Sequence, residues 1–204
     1  MTDSRLDLAR LLIESLASAC PGSTVELRGS LAAGTADEFS DIDLRWTVPE
    51  HLFGQARGSA PSAIASITPL LSFRSDPDWQ TSPSRRLLFA RLAGVPVWWR
   101  LDLEVRTAVS DDADSTPAPS QDDVEWDPYE SALQNALATV KAVGRGQEEQ
   151  ADDLLVRAYE RIALDPLGTS RTDRIIELAE IIAGARPHLR GFADDVIAEA
   201  SARF

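Results

Sequence analysis

Over the first 20 residues Leu8, Leu12 and Leu16 recur at helical spacing behind a capping-box-like start of Ser4 and Asp7, and Pro21-Gly22 closes the segment. The period then changes from helix to strand. Thr24 to Arg28 is a short strand candidate that runs into Gly29-Ser30, and Asp41-Ile42-Asp43-Leu44-Arg45-Trp46 alternates polar and apolar side chains as a half-buried strand does. Residues 49 to 66 read as a weak helix interrupted by Pro and Gly. Leu70-Leu71-Ser72-Phe73, Leu87-Leu88-Phe89-Ala90 and Val97 to Val105 read as further strands. Helix and strand mix without a βαβα rhythm, which points to an α+β domain with a mixed β-sheet.

Residues 107 to 128 combine proline, serine and aspartate with almost no apolar periodicity, the pattern of a linker or long surface loop. Beyond them, Asp127-Pro128-Tyr129-Glu130 supplies an N-cap, a proline suited to the first helical position and a capping glutamate. Helical periodicity then predicts helices ending near Gly144 and Gly146, over 147 to 164, over 170 to 184 with Gly184 as the stop, and over 188 to 203. The chain therefore reads as an α+β domain over 1–109, an acidic linker over 110–128 and a C-terminal α-helical bundle over 129–204. It carries no internal repeat.

Composition adds limits. With 204 residues, 44% hydrophobic and 26% charged, the chain is an ordinary folded protein and not collagen-like, disulfide-built or wholly disordered. The net charge of −13 disfavours nucleic acid as a partner. Residues 110–130 hold eight acids and no base, whereas residues 1–109 hold 13 acids against 11 bases. The acidity thus belongs mostly to the linker, which would attract a polyamine if it folded over a site. Cys20 is the single cysteine, so no internal disulfide forms; it reads as a small buried residue compatible with a reducing compartment. The N-terminus lacks the pattern of a signal peptide, and no run approaches the roughly 20 apolar residues of a membrane span. The expectation is a cytoplasmic protein that engages no membrane.

The candidate chemistry lies between residues 27 and 44 and again near 102. On a strand, Asp41 and Asp43 project from one face, and two carboxylates that close repel unless a cation sits between them. That favours a hard divalent ion, Mg²⁺, with oxygen ligands. In Val97-Trp98-Trp99-Arg100-Leu101-Asp102-Leu103-Glu104-Val105-Arg106 the polar side chains share one face, so a neighbouring strand would bring Asp102 to the pair. Glu104 shares that face, and either acid is open as third ligand or as the base for an acceptor hydroxyl. Three acids around two metal ions suit an in-line displacement at phosphorus. Gly29 lets the backbone approach a phosphate, and Ser30 adds an N–H and a hydroxyl.

Arg28, Arg45, Arg100 and Arg106 are candidates to grip a triphosphate, against structural ion pairing as the plainer role. Trp98 and Trp99 are adjacent, so one enters the core and the other faces the metal side. His51 and His188 have no metal-ligand spacing and read as surface residues.

A Gly29-Ser30 pair, ten residues, then Asp41-Ile42-Asp43, with Asp102 later in an alternating strand, resembles the nucleotidyltransferase superfamily of the DNA polymerase β type. The helical half makes the chain similar to the small aminoglycoside and lincosamide nucleotidyltransferases. The resemblance implies an N-terminal nucleotidyltransferase domain that moves a nucleoside monophosphate from ATP or another NTP to a hydroxyl of a small acceptor. It implies Asp41, Asp43 and Asp102 as metal-binding catalytic residues with two Mg²⁺ ions once NTP is bound, Gly29, Ser30, Arg28 and Arg45 toward the nucleotide, and a helical domain lining the acceptor site. A homodimer is a further expectation. Minimal nucleotidyltransferase antitoxins, which add AMP to a partner toxin protein, share the same pattern, and a binding module that keeps the fold without catalysis is the third alternative.

Overall fold

Strict alternation builds the sheet, because β2 (Ile42–Val48) and β5 (Leu101–Thr107) bury every second side chain. The computed structural model describes residues 4–80, 82–108 and 126–203. The acidic linker expected over 110–128 lies almost wholly outside them. The chain divides into two units, Met1–Trp126 and Asp127–Phe204. Among the described residues no helix is long and apolar enough to cross a membrane.

The first unit begins with α1 (Ser4–Ala19), β1 (Thr24–Leu27), the one-turn α2 (Gly29–Ala33) and β2. It continues through α3 (Phe53–Ala65), β3 (Leu70–Ser75), β4 (Arg85–Leu92) and β5. The strand order is β1-β2-β5-β4-β3. β2 and β5 run parallel, and the other neighbours are antiparallel. One sheet face is apolar: Leu44, Trp46, Leu101, Leu103 and Val105 form a core with Leu12, Leu16, Ala60 and Ile64 from the two long helices. The indole of Trp46 is fully buried yet satisfied, its Nε1 donating to Ser23 Oγ at 2.8 Å. Cys20 is buried and reduced in this core. The helices cover one face, so Asp43, Arg45 and Thr47 of β2 and Asp102, Glu104 and Arg106 of β5 emerge on the other, while Thr107 ends the buried row.

Several boundaries differ from the sequence expectation. The buried face of α1 is Arg5, Ala9, Leu12 and Leu16, with Leu8 at its margin, because a spacing of four and three residues tracks the 3.6-residue turn better than three leucines four apart. Residues 97–100 are not strand: Trp99 N donates to Pro96 O at 2.9 Å in a turn, and β5 starts at Leu101. The segment over 49–66 is a 3₁₀ turn, Glu50–Leu52, followed by α3, which continues through Pro61.

The second unit holds α4 (Pro128–Gly144), α5 (Glu148–Arg161), α6 (Arg171–Ala185) and α7 (Arg190–Arg203). Asp127 caps α4, accepting from Tyr129 N at 2.8 Å, and Ser170 with Asp173 forms a full capping box on α6. Leu133, Ala136 and Val140 of α4 are buried, as are Ile175, Leu178 and Ile182 of α6 and Phe192 and Val196 of α7. Two predicted stops move. α5 ends at Arg161, short of 164, where Ala163 takes a positive φ of 53°. Gly184 lies inside α6, since a helix tolerates glycine when packing supports it.

After α5 the chain is fastened by Glu177, which accepts from Gly168 N at 3.0 Å, Leu167 N at 3.1 Å and the Tyr159 hydroxyl at 3.0 Å. The Gly168 N–H above all, then the Tyr159 and Leu167 donors, hold this carboxyl below its usual range. A depressed folded-state value means the contribution is present above the unfolded pKa of about 4.3 and is lost as pH falls through the folded value. Glu177→Gln is therefore expected to flatten the acid limb of stability. Urea titrations of the full chain from about pH 3 to pH 7 check this, and parallel acid loss in both proteins would contradict it.

Candidate active site

The site is assembled by strand register. In the parallel β2–β5 ladder Asp43 pairs with Asp102 and Arg45 with Glu104, all on the face opposite the helices. Adjacent strands lie about 4.8 Å apart, so the two aspartates stand side by side. Across β4 the same row continues through Phe89, which pairs with Asp102, to Arg74 of β3. Neighbouring strands thus bring acid, acid, aromatic and guanidinium into one line.

The Gly29 turn abuts this row. Arg28 N donates to Asp43 O at 2.8 Å and fastens the end of β1 to β2. Gly29 has φ 61°, and a Cβ there would fall 2.0 Å from Asp43 Oδ2 and 2.7 Å from its Cγ. Only glycine leaves room for that carboxylate. Ser30 is half-buried, and among the described residues its hydroxyl has no hydrogen-bond partner. Arg28 is exposed, and among the described residues its side chain makes no ion pair.

Asp41 precedes β2 and is carried by a tied loop. Asp37 Oδ1 accepts from Phe39 N at 3.1 Å and Ser40 Oγ at 2.8 Å, and Asp37 N donates to Ser40 Oγ at 3.0 Å. Arg5 of α1, buried, donates Nη1 to Asp37 O at 3.0 Å and to Ser40 O at 2.6 Å. Ile42 N then donates to Arg100 O at 2.8 Å, which sets the start of β2 beside residue 100.

Arg100 is the centre of the acids. Its Nε lies 2.5 Å from Asp102 Oδ1 and its Nη2 2.6 Å from Asp102 Oδ2, a bidentate pair, while Nη2 is also 3.6 Å from Asp41 Oδ2. Burial pushes the Asp102 carboxyl above the ordinary range against the pull of Arg100, and Asp41 adds to the rise. Burial alone would lower the Arg100 guanidinium. Asp102 first, then Asp41 and Asp43, outweigh it and hold Arg100 above its usual value. The guanidinium also sits 4.9 Å from the Phe89 ring centroid, and that of Arg74 sits 4.5 Å from the same ring.

One step along the strands is a second network. Arg45 Nε donates to Glu104 Oε2 at 2.7 Å, and Arg85 Nε forms an ion pair with Oε1 at 2.8 Å without hydrogen-bond geometry; Arg85 also lies 4.1 Å from the Trp79 ring centroid. Both oxygens of Glu104 are engaged, and Arg45 is held in this ion pair. Of the adjacent tryptophans, Trp98 is buried edge-on against Phe39 at 5.1 Å, whereas Trp99 lies beside Arg5, 5.6 Å from its guanidinium. His51 is exposed, and His188 lies at the surface with Nε2 3.8 Å from Asp127 Oδ2.

Pattern reading missed Arg74, Arg85 and Phe89 as parts of this face and Arg5 as the anchor of the loop that carries Asp41. The alternation of Arg85, Leu87, Phe89 and Arg91 on β4 was the available signal, but only register places Phe89 beside Asp102. The residues fit a divalent cation by donor chemistry: two aligned carboxylates and a third nearby, with a positive group already among them and a glycine shaped to Asp43. Among the described residues no three His, Cys, Asp or Glu side chains converge as a ready cage. The Arg100 fork takes both oxygens of Asp102.

Fold and site define an α+β protein whose mixed sheet, with the loop that enters β2, carries three aspartates about one arginine beside a glycine-serine turn. No protein-family model matches the chain, and no curated protein matches it.

Proposed function

We propose that the chain is a nucleotidyltransferase that moves a nucleoside monophosphate from an NTP, ATP first, to a hydroxyl of a small acceptor such as an aminoglycoside-like molecule. The observation that carries this reading is the register that sets Asp43 beside Asp102, with Asp43 seated on the Gly29 of a Gly-Ser turn. Asp41, Asp43 and Asp102 are the residues that would hold Mg²⁺. When bound, Mg²⁺ supplies charge neutralisation at the phosphates and at the attacking oxygen.

The chain's own residues do the rest. The Ser30 hydroxyl and N–H donate to a nonbridging phosphate oxygen, while Gly29 leaves the space that Asp43 fills beside them. Arg28, exposed beside them, is a cation for the triphosphate. The acceptor oxygen forms its bond to the α-phosphorus as the bond to the bridging oxygen breaks, and pyrophosphate leaves. Asp102, in register with Asp43, receives the hydroxyl proton once the Arg100 fork has opened, whereas Glu104 lies one step further along the strands in ion pairs with Arg45 and Arg85. Within the helical unit, a cavity of about 400 Å³ lined by Leu155, Tyr159, Leu164 and Pro166 with Glu160 and Asp165 has the size of a small-molecule site.

The test is incubation of the purified chain with each α-³²P-labelled NTP, Mg²⁺ and a panel of aminoglycosides and lincosamides. The expected result is label on one acceptor with equimolar pyrophosphate. Absence of both products across the panel would overturn the reading, and label on a protein instead would replace the small acceptor with a polypeptide one.

A further inference from the structure

We propose that Arg100 is a resident counter-ion that closes the aspartate cluster to free divalent metal and releases it only when nucleotide phosphates offer the guanidinium a new partner. The inference rests on the nucleotidyltransferase reading and concerns the order in which that site is filled. Its basis is occupancy. Both Asp102 oxygens are engaged by Nε and Nη2 at 2.5 and 2.6 Å, and Nη2 also reaches toward Asp41. A divalent ion arriving alone must break two short charge-assisted hydrogen bonds and then sit beside a cation that never deprotonates.

Arg100 cannot simply retreat to water at no cost, since its side chain is 23% exposed and its guanidinium lies over Phe89, which Arg74 also flanks. It needs another anion. A triphosphate provides one, with oxygens that match the guanidinium fork, and it brings the negative charge that a cluster holding two metal ions and Arg100 lacks. Departure of Arg100 toward phosphate frees the Asp102 oxygens, so nucleotide tightens metal binding. By linkage, metal tightens nucleotide binding equally. Glu104 plays no part in this exchange, being saturated by Arg45 and Arg85.

The experiment uses Mn²⁺ as the probe. Free Mn²⁺ is followed by electron paramagnetic resonance during titration of the full chain, with and without α,β-methylene-ATP, for native protein, Arg100→Gln and Arg100→Lys. Without nucleotide, Arg100→Gln is expected to bind Mn²⁺ about tenfold tighter or more than the native chain, with Arg100→Lys between them, and the analogue to enhance Mn²⁺ binding far more in the native chain. Added Mn²⁺ should also raise the Tm of Arg100→Gln more than that of the native chain, a readout independent of activity. Equal or weaker Mn²⁺ affinity in Arg100→Gln, with binding in both proteins abolished by Asp43→Asn, would overturn the gating role while leaving the metal site standing. Absence of Mn²⁺ binding in every form, with or without the analogue, would overturn the gating role and the nucleotidyltransferase reading together.

Discussion

Gly29→Ala is expected to reduce nucleotidyl transfer by about a hundredfold or more, although it adds a single methyl group on an exposed turn. The methyl carbon would sit 2.0 Å from Asp43 Oδ2, far inside contact distance, so the carboxylate has to move by more than about 1 Å. Asp43 cannot turn away without leaving the row that Asp102 and Arg100 define. The φ of 61° adds about 1–2 kcal/mol for any residue with a Cβ. Steady-state transfer assays over a range of Mg²⁺ concentrations check the loss, with circular dichroism to show that the chain is folded. Transfer close to the native rate would mean that Asp43 is not held where the mechanism needs it.

The second large effect is a contrast between two aspartates. Asp43→Ala and Asp102→Ala are both expected to abolish transfer, but their effects on stability should differ. Asp102 is the bidentate partner of Arg100, so its removal leaves a buried guanidinium without its main anion. Breaking a buried pair costs about 3–5 kcal/mol; with side chains 23% and 17% exposed here, solvent screening brings the expectation to about 2–3 kcal/mol. Asp43 stands beside Asp102 on the ladder and fills the space left by Gly29. Its removal relieves repulsion from the neighbouring acids and takes away only the third-ranked of the carboxylates that act on Arg100, so the midpoint in urea should fall less than in Asp102→Ala. A large loss of stability in Asp43→Ala, or none in Asp102→Ala, would show that Arg100 leans on Asp43 instead.

Both expectations depend on features of different legibility. The alternation around Asp41, Asp43 and Asp102 was readable because one sheet face is buried by α1 and α3, so every second residue had to be apolar. The helices of the second unit were readable through Asp127, Pro128 and the Ser170–Asp173 capping box, signals that act within a few residues. Turns were less so. Val97 to Arg100 alternates into β5 well enough to look like strand, yet the backbone folds back from Trp99 to Pro96.

For Gly29 the sequence supplied the residue and a sound general reason for it, close approach of a phosphate. The structure supplies a nearer reason in the carboxylate of Asp43, 14 residues further along the chain and brought to Gly29 by the pairing of β1 with β2. Glu104 shows the same limit. Alternation put it on the face of Asp102 and left the two acids equivalent; pairing with Arg45 and Arg85 separates them, because Arg85 comes from a strand that contacts β5 only through tertiary folding.

The sequence by itself determined which side chains are polar, which strand faces they share, where the caps fall and that aspartates, glycine and serine are present in a suggestive order. All of these follow from local chemistry and periodicity. Only the tertiary structure decided that β2 and β5 are parallel neighbours in the register that aligns Asp43 with Asp102, and that Arg100 stands among the acids over Phe89. Register is decided by how two distant segments bury a common core, and a shift of one residue would have sent every one of these side chains to the opposite face.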